Sequence, residues 1–332
     1  MGQRANLVIV HNGQYQLYYN HWCANTMPQD IFWGPVHTRK FIELQEHVTP
    51  NDWMNDIWAE GGVVMDIDRQ HVLFFGGEDI LYDIQLRNYF IRLMAIPWQG
   101  WSIAWAEEGI ADLAQYVGVP VETVLAESSA PTNKLFGPVN VSFLSGVAGI
   151  QLPNGETLLF LLDTDLGCYL LQGEALIQNL NPAFGQTTLS WQEIEVNDEF
   201  PSMGMYIDIS ARKLSFWHAE TMPGFLAKVQ TSWAGWDVSR FTHNYHSQLA
   251  VTGDCLQIKE REPNEIWDEL AALLLRNYSN PLQSFSSVID QLQKQGHDLD
   301  INPSALSHTE YTLTPELKQR IFQQALLAVQ SQ

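Results

Sequence analysis

Three stretches in the first 118 residues recur later in the chain, two of them at one fixed distance, and this repetition limits the fold more than any other feature. VIVHNGQYQLYY (8–19) matches IQLPNGETLLFL (150–161), each with an Asn-Gly pair between β-forming runs. MDIDRQHVLFFGGED (65–79) matches IDISARKLSFWHAET (207–221), so that Asp66, Ile67, Phe74 and Glu78 align with Asp208, Ile209, Phe216 and Glu220. Both alignments carry an offset of 142 residues (154 − 12 and 208 − 66). WQGWSIAWAEEGIADLAQYVG (98–118) then matches WAGWDVSRFTHNYHSQLAVTG (233–253) at an offset of 135, with Trp98, Gly100, Trp101 and Gly118 opposite Trp233, Gly235, Trp236 and Gly253. The first copy therefore carries seven more residues in the helical stretch around LRNYFIRLMAIPW.

Each copy reads as hairpin, helix, hairpin, helix, short strand, helix. Asn12-Gly13 and Asn154-Gly155 supply the positive φ angles of type I′ turns, which predicts a tight hairpin at each. Pro35 interrupts the helical pattern of 28–47 or starts its second part. LRNYFIRLMAI (86–96) is apolar almost all round and reads as buried. The expected fold class is α+β (mixed α/β), with two tandem homologous units of β-hairpins and helices and a C-terminal helical extension. The expected boundaries are 1–118, a linker at 119–147, 148–253, and the extension at 254–332. Three helices are expected there, in 263–281, 281–296 and 314–330, the last with Thr314 as cap and Pro315 at its first position.

Charge and composition narrow the function classes. The net charge is −21, from 38 acidic and 17 basic side chains, and it is spread over the chain. Such a surface repels a phosphate backbone and an anionic bilayer, so neither nucleic acid nor membrane is the expected partner. No run of apolar residues approaches a membrane span. Three scattered cysteines, Cys23, Cys168 and Cys255, form no disulfide framework, which suits a reducing cytoplasm. The leading expectation is an acidic cytoplasmic protein-binding protein, immunity-like or regulatory, recognising a basic partner. The alternative is a hydrolase or metal-dependent enzyme with its pocket in the first copy.

No P-loop, GxGxxG, HExxH or GxSxG motif is present, and no cofactor is assigned. Candidate site residues therefore come mostly from what one copy has and the other lacks, together with the aligned pair Glu78 and Glu220 at the hairpin ends. In the first copy these are His21, Trp22, Trp33, Trp58, Glu60, Glu78, Trp105, Glu107 and Glu108, carried by NHWCAN, WGP, WAEGG, FGGED and WAEEG. They fall at the ends of elements, where sites are usually built. Gly61, Gly62, Gly76 and Gly77 permit close approach of a ligand or a neighbouring chain. In the second copy His218, Glu220, His243 and His246 are weak candidates for metal ligands. Cys23 beside His21 has no third group to complete a nucleophilic site. Asp66, Asp68, Asp163 and Asp165 read as turn residues.

Overall fold

The computed structural model describes residues 3–127, 131–194, 200–276, 281–297, 299, 301–306 and 311–331. Residues 128–130 of the expected linker and 277–280 at the end of the expected 263–281 helix lie outside these. The described residues hold twelve α-helices and two mixed sheets of six and five strands, besides a two-stranded pair. The chain divides into two compact units, 1–126 with 261–332, and 127–260.

The first unit begins with β1 (Ala5–His11) and β2 (Gln14–Asn20), then α1 (Met27–Ile31), α2 (Pro35–Glu43) and β3 (Glu46–Val48). A second hairpin follows, β4 (Gly61–Asp66) and β5 (His71–Phe75), then α3 (Glu78–Tyr82), α4 (Ile84–Met94), β6 (Ser102–Trp105) and α5 (Ile110–Tyr116). Its sheet runs β3-β2-β1-β4-β5-β6. The two hairpins are antiparallel within themselves and are joined by the parallel pairing of β1 with β4. A parallel joint needs a crossover, and α1 and α2 provide it, with Pro35 at the first position of α2.

The sheet is covered on both faces. Successive side chains of a strand point to opposite faces, so Phe74 meets Phe90 of α4 while Phe75 lies beside Gly62 under Leu113 of α5. This explains the unbroken apolar runs of β4 and β5, which alternation alone would not produce. Trp98 is fully buried and donates its indole N–H to the Ile31 carbonyl at 2.9 Å. A buried Trp removes on the order of 200 Å² from water, worth roughly 5 kcal/mol, whereas the hydrogen bond adds about 1 kcal/mol. Burial thus sets the energy of this wedge, and the hydrogen bond sets its orientation.

The second unit contains β7 (Gly146–Gln151), β8 (Thr157–Leu162), α6 (Leu166–Leu170), α7 (Ala175–Gln178) and β9 (Leu189–Ser190). It continues with β10 (Met203–Asp208), β11 (Lys213–His218), α8 (Phe225–Ser232), β12 (Asp237–Arg240), α9 (Asn244–Thr252) and β13 (Leu256–Gln257). Its sheet runs β12-β11-β10-β7-β8, with β7 and β10 parallel and each hairpin antiparallel. Trp233 is fully buried and donates to the Leu170 carbonyl at 2.8 Å. Trp217 donates to Gln248 of α9 at 2.6 Å, and the Gln248 amide in turn donates to the Val147 and Met205 carbonyls.

The hairpin tips differ in a way the sequence reading missed. Asn12 and Gly13 both have positive φ, and His11 pairs directly with Gln14, as a type I′ turn requires. Their two amides donate to the Asp68 carboxylate at 3.0 and 2.8 Å. At Asn154-Gly155 only the glycine has positive φ, and Gln151 pairs with Thr157. The reason is Pro153, which has no N–H to close a two-residue loop. Leu152 closes it instead, donating to the Glu156 carbonyl at 2.8 Å.

After the second unit come α10 (Pro263–Leu275), α11 (Pro281–Lys294) and α12 (Pro315–Gln330). Thr314 caps α12 by accepting from the Leu317 amide at 3.3 Å. Helices α10 and α12 bury Ile266, Trp267, Leu270, Phe322, Ala325 and Val329 in the core of the first unit. Arg261 bonds both Asp83, the cap of α4, and Glu269 of α10.

Gly76 offers a test of how closely the strand ends pack. Its φ is +110°, and a Cβ there would stand 2.9 Å from both the Ala24 carbonyl oxygen and the Gly61 Cα. Gly118 also has positive φ, but a Cβ there would have no neighbour within 4 Å. Gly118→Ala should cost about 1 kcal/mol in urea unfolding. Gly76→Ala should cost roughly 3 kcal/mol, because a clash with backbone is added to the strain. Equal losses would show that the strand ends yield.

Candidate functional site

The strand register lines up most of the sequence-derived candidate segments along one end of the six-stranded sheet. Ala5 is opposite both Asn20 and Gly61, Gly62 is opposite Phe75, and Phe74 is opposite Trp105. NHWCAN, WAEGG, FGGED and WAEEG therefore leave the sheet at the same end. Their backbones pack on one another there. The Gly77 amide donates to the Ala24 carbonyl at 2.8 Å, and the Ala106 amide to the Phe74 carbonyl at 2.8 Å. A Cβ at Gly61 would stand 2.9 Å from Ala24. The glycines thus serve the approach of neighbouring chain segments.

Among the described residues the side chains of these segments make separate contacts. His21 is buried, its Nδ1 lies 2.7 Å from the Tyr19 hydroxyl, and its ring meets Trp22 edge-on at 4.8 Å. Trp22 is buried and donates to the Ala305 carbonyl at 3.2 Å. Trp58 is exposed and lies under the Arg4 guanidinium at 4.6 Å, while Glu60 accepts from the Arg4 amide at 2.9 Å. Glu78 is exposed and accepts from Asn25 at 3.2 Å. Trp33 is buried, its indole donates to the Gln29 carbonyl, and Lys318 lies over its face at 5.6 Å.

Trp105 belongs to a different group. The buried Arg87 guanidinium lies 4.3 Å from its ring. Burial pulls Arg87 down to about 10, and the charges of Glu107 and Asp83 act in the opposite direction. Glu107 thus serves the charge balance of a buried cation. The Glu108 amide donates to Asp112 at 2.7 Å, in the first turn of α5.

A cleft of about 390 Å³ does open at this end of the sheet, beside β2 and β3. It is lined by Tyr19, Asn20, His21, Leu44, Gln45, Glu46, Pro303 and Ser304. Of the candidate residues only His21 lines it, and Trp22 backs it through the imidazole. Tyr19 and Glu46 are direct cross-strand partners, so they share a sheet face. Asn20 donates to Gln45 at 2.6 Å and accepts the Trp22 amide at 2.6 Å. Gln45 donates to the Phe41 carbonyl at 2.8 Å, which ties the floor to the end of α2. Ser304 donates to Glu46 at 3.0 Å and brings the 303–306 turn over the opening. Burial raises the Tyr19 hydroxyl above its ordinary value, Arg4 opposes the shift, and Glu46 adds to it. The sequence reading passed over Tyr19, Gln45, Glu46 and Ser304. ELQEH reads as the end of a helix, and nothing local marks Ser304 as facing it.

Cys23 is buried, and burial pushes its thiol well above the ordinary range, opposite to what a nucleophile needs. The second-unit candidates separate. His218 is buried between the Glu220 carbonyl and the Arg240 guanidinium. His246 stacks on Tyr245 at 4.1 Å and pairs with Glu260 at 2.9 Å. His243 precedes α9, its amide 3.1 Å from the Ser247 hydroxyl. Among the described residues no three His, Cys, Asp or Glu side chains gather to hold a metal ion. Asp163 is more than a turn residue: it pairs with Lys134 and accepts from Tyr169 and the Asn140 amide.

Searches of protein-family models, curated proteins and solved structures find no match to this chain. Among the described residues no helix is long and apolar enough to cross a membrane.

Glu220 reaches the surface, yet partial desolvation by its surroundings raises its carboxyl above the ordinary value, and the charge of Asp165 adds to the shift. The carboxylate is therefore penalised in the folded state once the pH exceeds the raised pKa, and not below the ordinary glutamate range. Because solvent screens this exposed group, Glu220→Gln should raise the thermal midpoint only slightly at neutral pH, and the gain should vanish as the medium becomes acidic. A gain of equal size at both extremes would assign the effect to packing.

Proposed function

We propose that this chain is a cytoplasmic binding protein whose acidic surface recognises a basic protein partner, in an immunity-like or regulatory role. One observation carries the reading. The chain has few cations, and the fold engages most of them. Arg39, Arg69, Lys134, Arg212, Arg261 and Arg276 stand in ion pairs with its own carboxylates. Arg4, Arg87 and Lys318 lie on the faces of Trp58, Trp105 and Trp33. What remains toward a partner is dominated by the excess of 38 acidic over 17 basic side chains. Such a field speeds and selects association with a basic surface. An enzymatic reading would require the carboxylates Glu60, Glu78, Glu107 and Glu108 to meet His21 in one pocket, and they do not line its cleft.

We infer further that the two units are tandem homologues that arose by duplication. The support is internal contact rather than sequence alone. Asp66 and Asp208 accept from the amides three residues on, at 2.9 and 2.8 Å. Gln70 and Arg212 both close their hairpins with positive φ. Trp98 with Trp101 and Trp233 with Trp236 form edge-on pairs at 5.1 and 4.8 Å.

The test is affinity capture with the full chain at low ionic strength. Captured proteins should be enriched in basic ones and should elute as salt shortens the screening length from about 10 Å at 0.1 M to about 3 Å at 1 M. Capture that is indifferent to salt, or no capture at low salt, would remove the proposal.

A further inference from the structure

The geometry points to the cleft between β2, β3 and the 303–306 turn as a receptor for one arginine side chain of that basic partner. The proposal rests on the functional reading above and adds the place and the chemistry of the contact.

Among the described lining residues Glu46 is the carboxylate and there is no lysine or arginine, while Arg4 reaches the Tyr19 hydroxyl from beside the cleft. The lining adds the Tyr19 hydroxyl, the His21 imidazole and the Ser304 hydroxyl. A guanidinium has five N–H donors and no acceptor, so it suits a site rich in oxygen acceptors around one carboxylate. It also stacks on aromatic faces, and the described residues of the first unit use that contact three times, with Arg4 on Trp58, Arg69 on Tyr116 and Arg87 on Trp105. Tyr19, across the strand from Glu46, lines the same cleft.

The site is also built to stay in place. Asn20 and Gln45 are buried and spend their amides on each other, on Trp22 and on Phe41. The buried His21 is held between Tyr19 and Trp22. The floor is thus fixed before a ligand arrives, which lowers the ordering cost of binding. A volume of about 390 Å³ lies within the range of ligand pockets and takes a guanidinium with its methylene stem.

The experiment uses the full chain and two probes, N-acetyl-arginine amide and an arginine-rich peptide, read by calorimetry and by the NMR signals of the His21 ring. Glu46→Gln should weaken the arginine amide at least tenfold, and Tyr19→Phe should weaken it several-fold. Glu156→Gln, in the hairpin tip of the second unit, should leave it unchanged. The His21 signals should move on titration of the wild type, which reads the site even if a variant folds poorly. N-acetyl-lysine amide should bind more weakly than the arginine amide. If the peptide binds at low salt but Glu46→Gln has no effect and the His21 signals stay still, the cleft proposal is overturned while the acidic-surface reading stands. If the peptide fails to bind while the arginine amide binds through Glu46, the cleft is supported and the partner reading falls. Absence of arginine amide binding to the wild type overturns the cleft proposal.

Discussion

The parallel pairing of β1 with β4 holds the first unit together, and that of β7 with β10 does so in the second. An isolated two-stranded hairpin is at best marginal in water. Setting two hairpins side by side through their first strands makes those strands central, covers both faces with helices, and creates a core that neither hairpin has alone. The same joint demands a crossover, which is why α1 and α2 lie between the hairpins and why the chain must turn sharply at each sheet end. The wedge of Trp98 under Ile31 and that of Trp233 under Leu170 anchor these crossovers to the segment before the last strand.

Bringing several segments to one sheet end has two consequences. Their backbones approach so closely around Ala24, Gly61 and Gly76 that side chains larger than glycine do not fit. That part of the end is packed shut. The opening lies to one side, at β2 and the short β3, where the chain has polar residues and where the turn at 303–306 reaches over it. The C-terminal helices thus complete the core and also place the turn that forms one wall of the cleft.

Electrostatics follow the same economy of cations. Arg87 is buried on Trp105, and Arg261 joins α4 to α10 through Asp83 and Glu269. Cations placed in this way stabilise the fold, so the net charge of −21 is expressed at the surface.

Local chemistry settled much of the architecture from the sequence. Asn12-Gly13 specified a two-residue turn, Pro35 marked a break or a helix start, Pro315 marked a helix start, and Thr314 marked a cap. Each acts through its own backbone or through neighbours a few residues away, so position in the chain carries the information. Pro153 acts just as locally, and its missing N–H explains the longer second tip, but Asn154-Gly155 alone read as the same two-residue turn. The burial of each tryptophan was not legible. Trp58 is 53% exposed and Trp98 fully buried, although both sit in short mixed segments, because exposure depends on what the rest of the chain lays over them. The cleft was hidden for the same reason. Its walls come from β2, from the residues after α2, and from a turn more than 250 residues later, as the |i−j| of 258 between Glu46 and Ser304 records. A contact between groups so far apart in sequence leaves no periodicity and no motif, and only the packed tertiary structure brings them together.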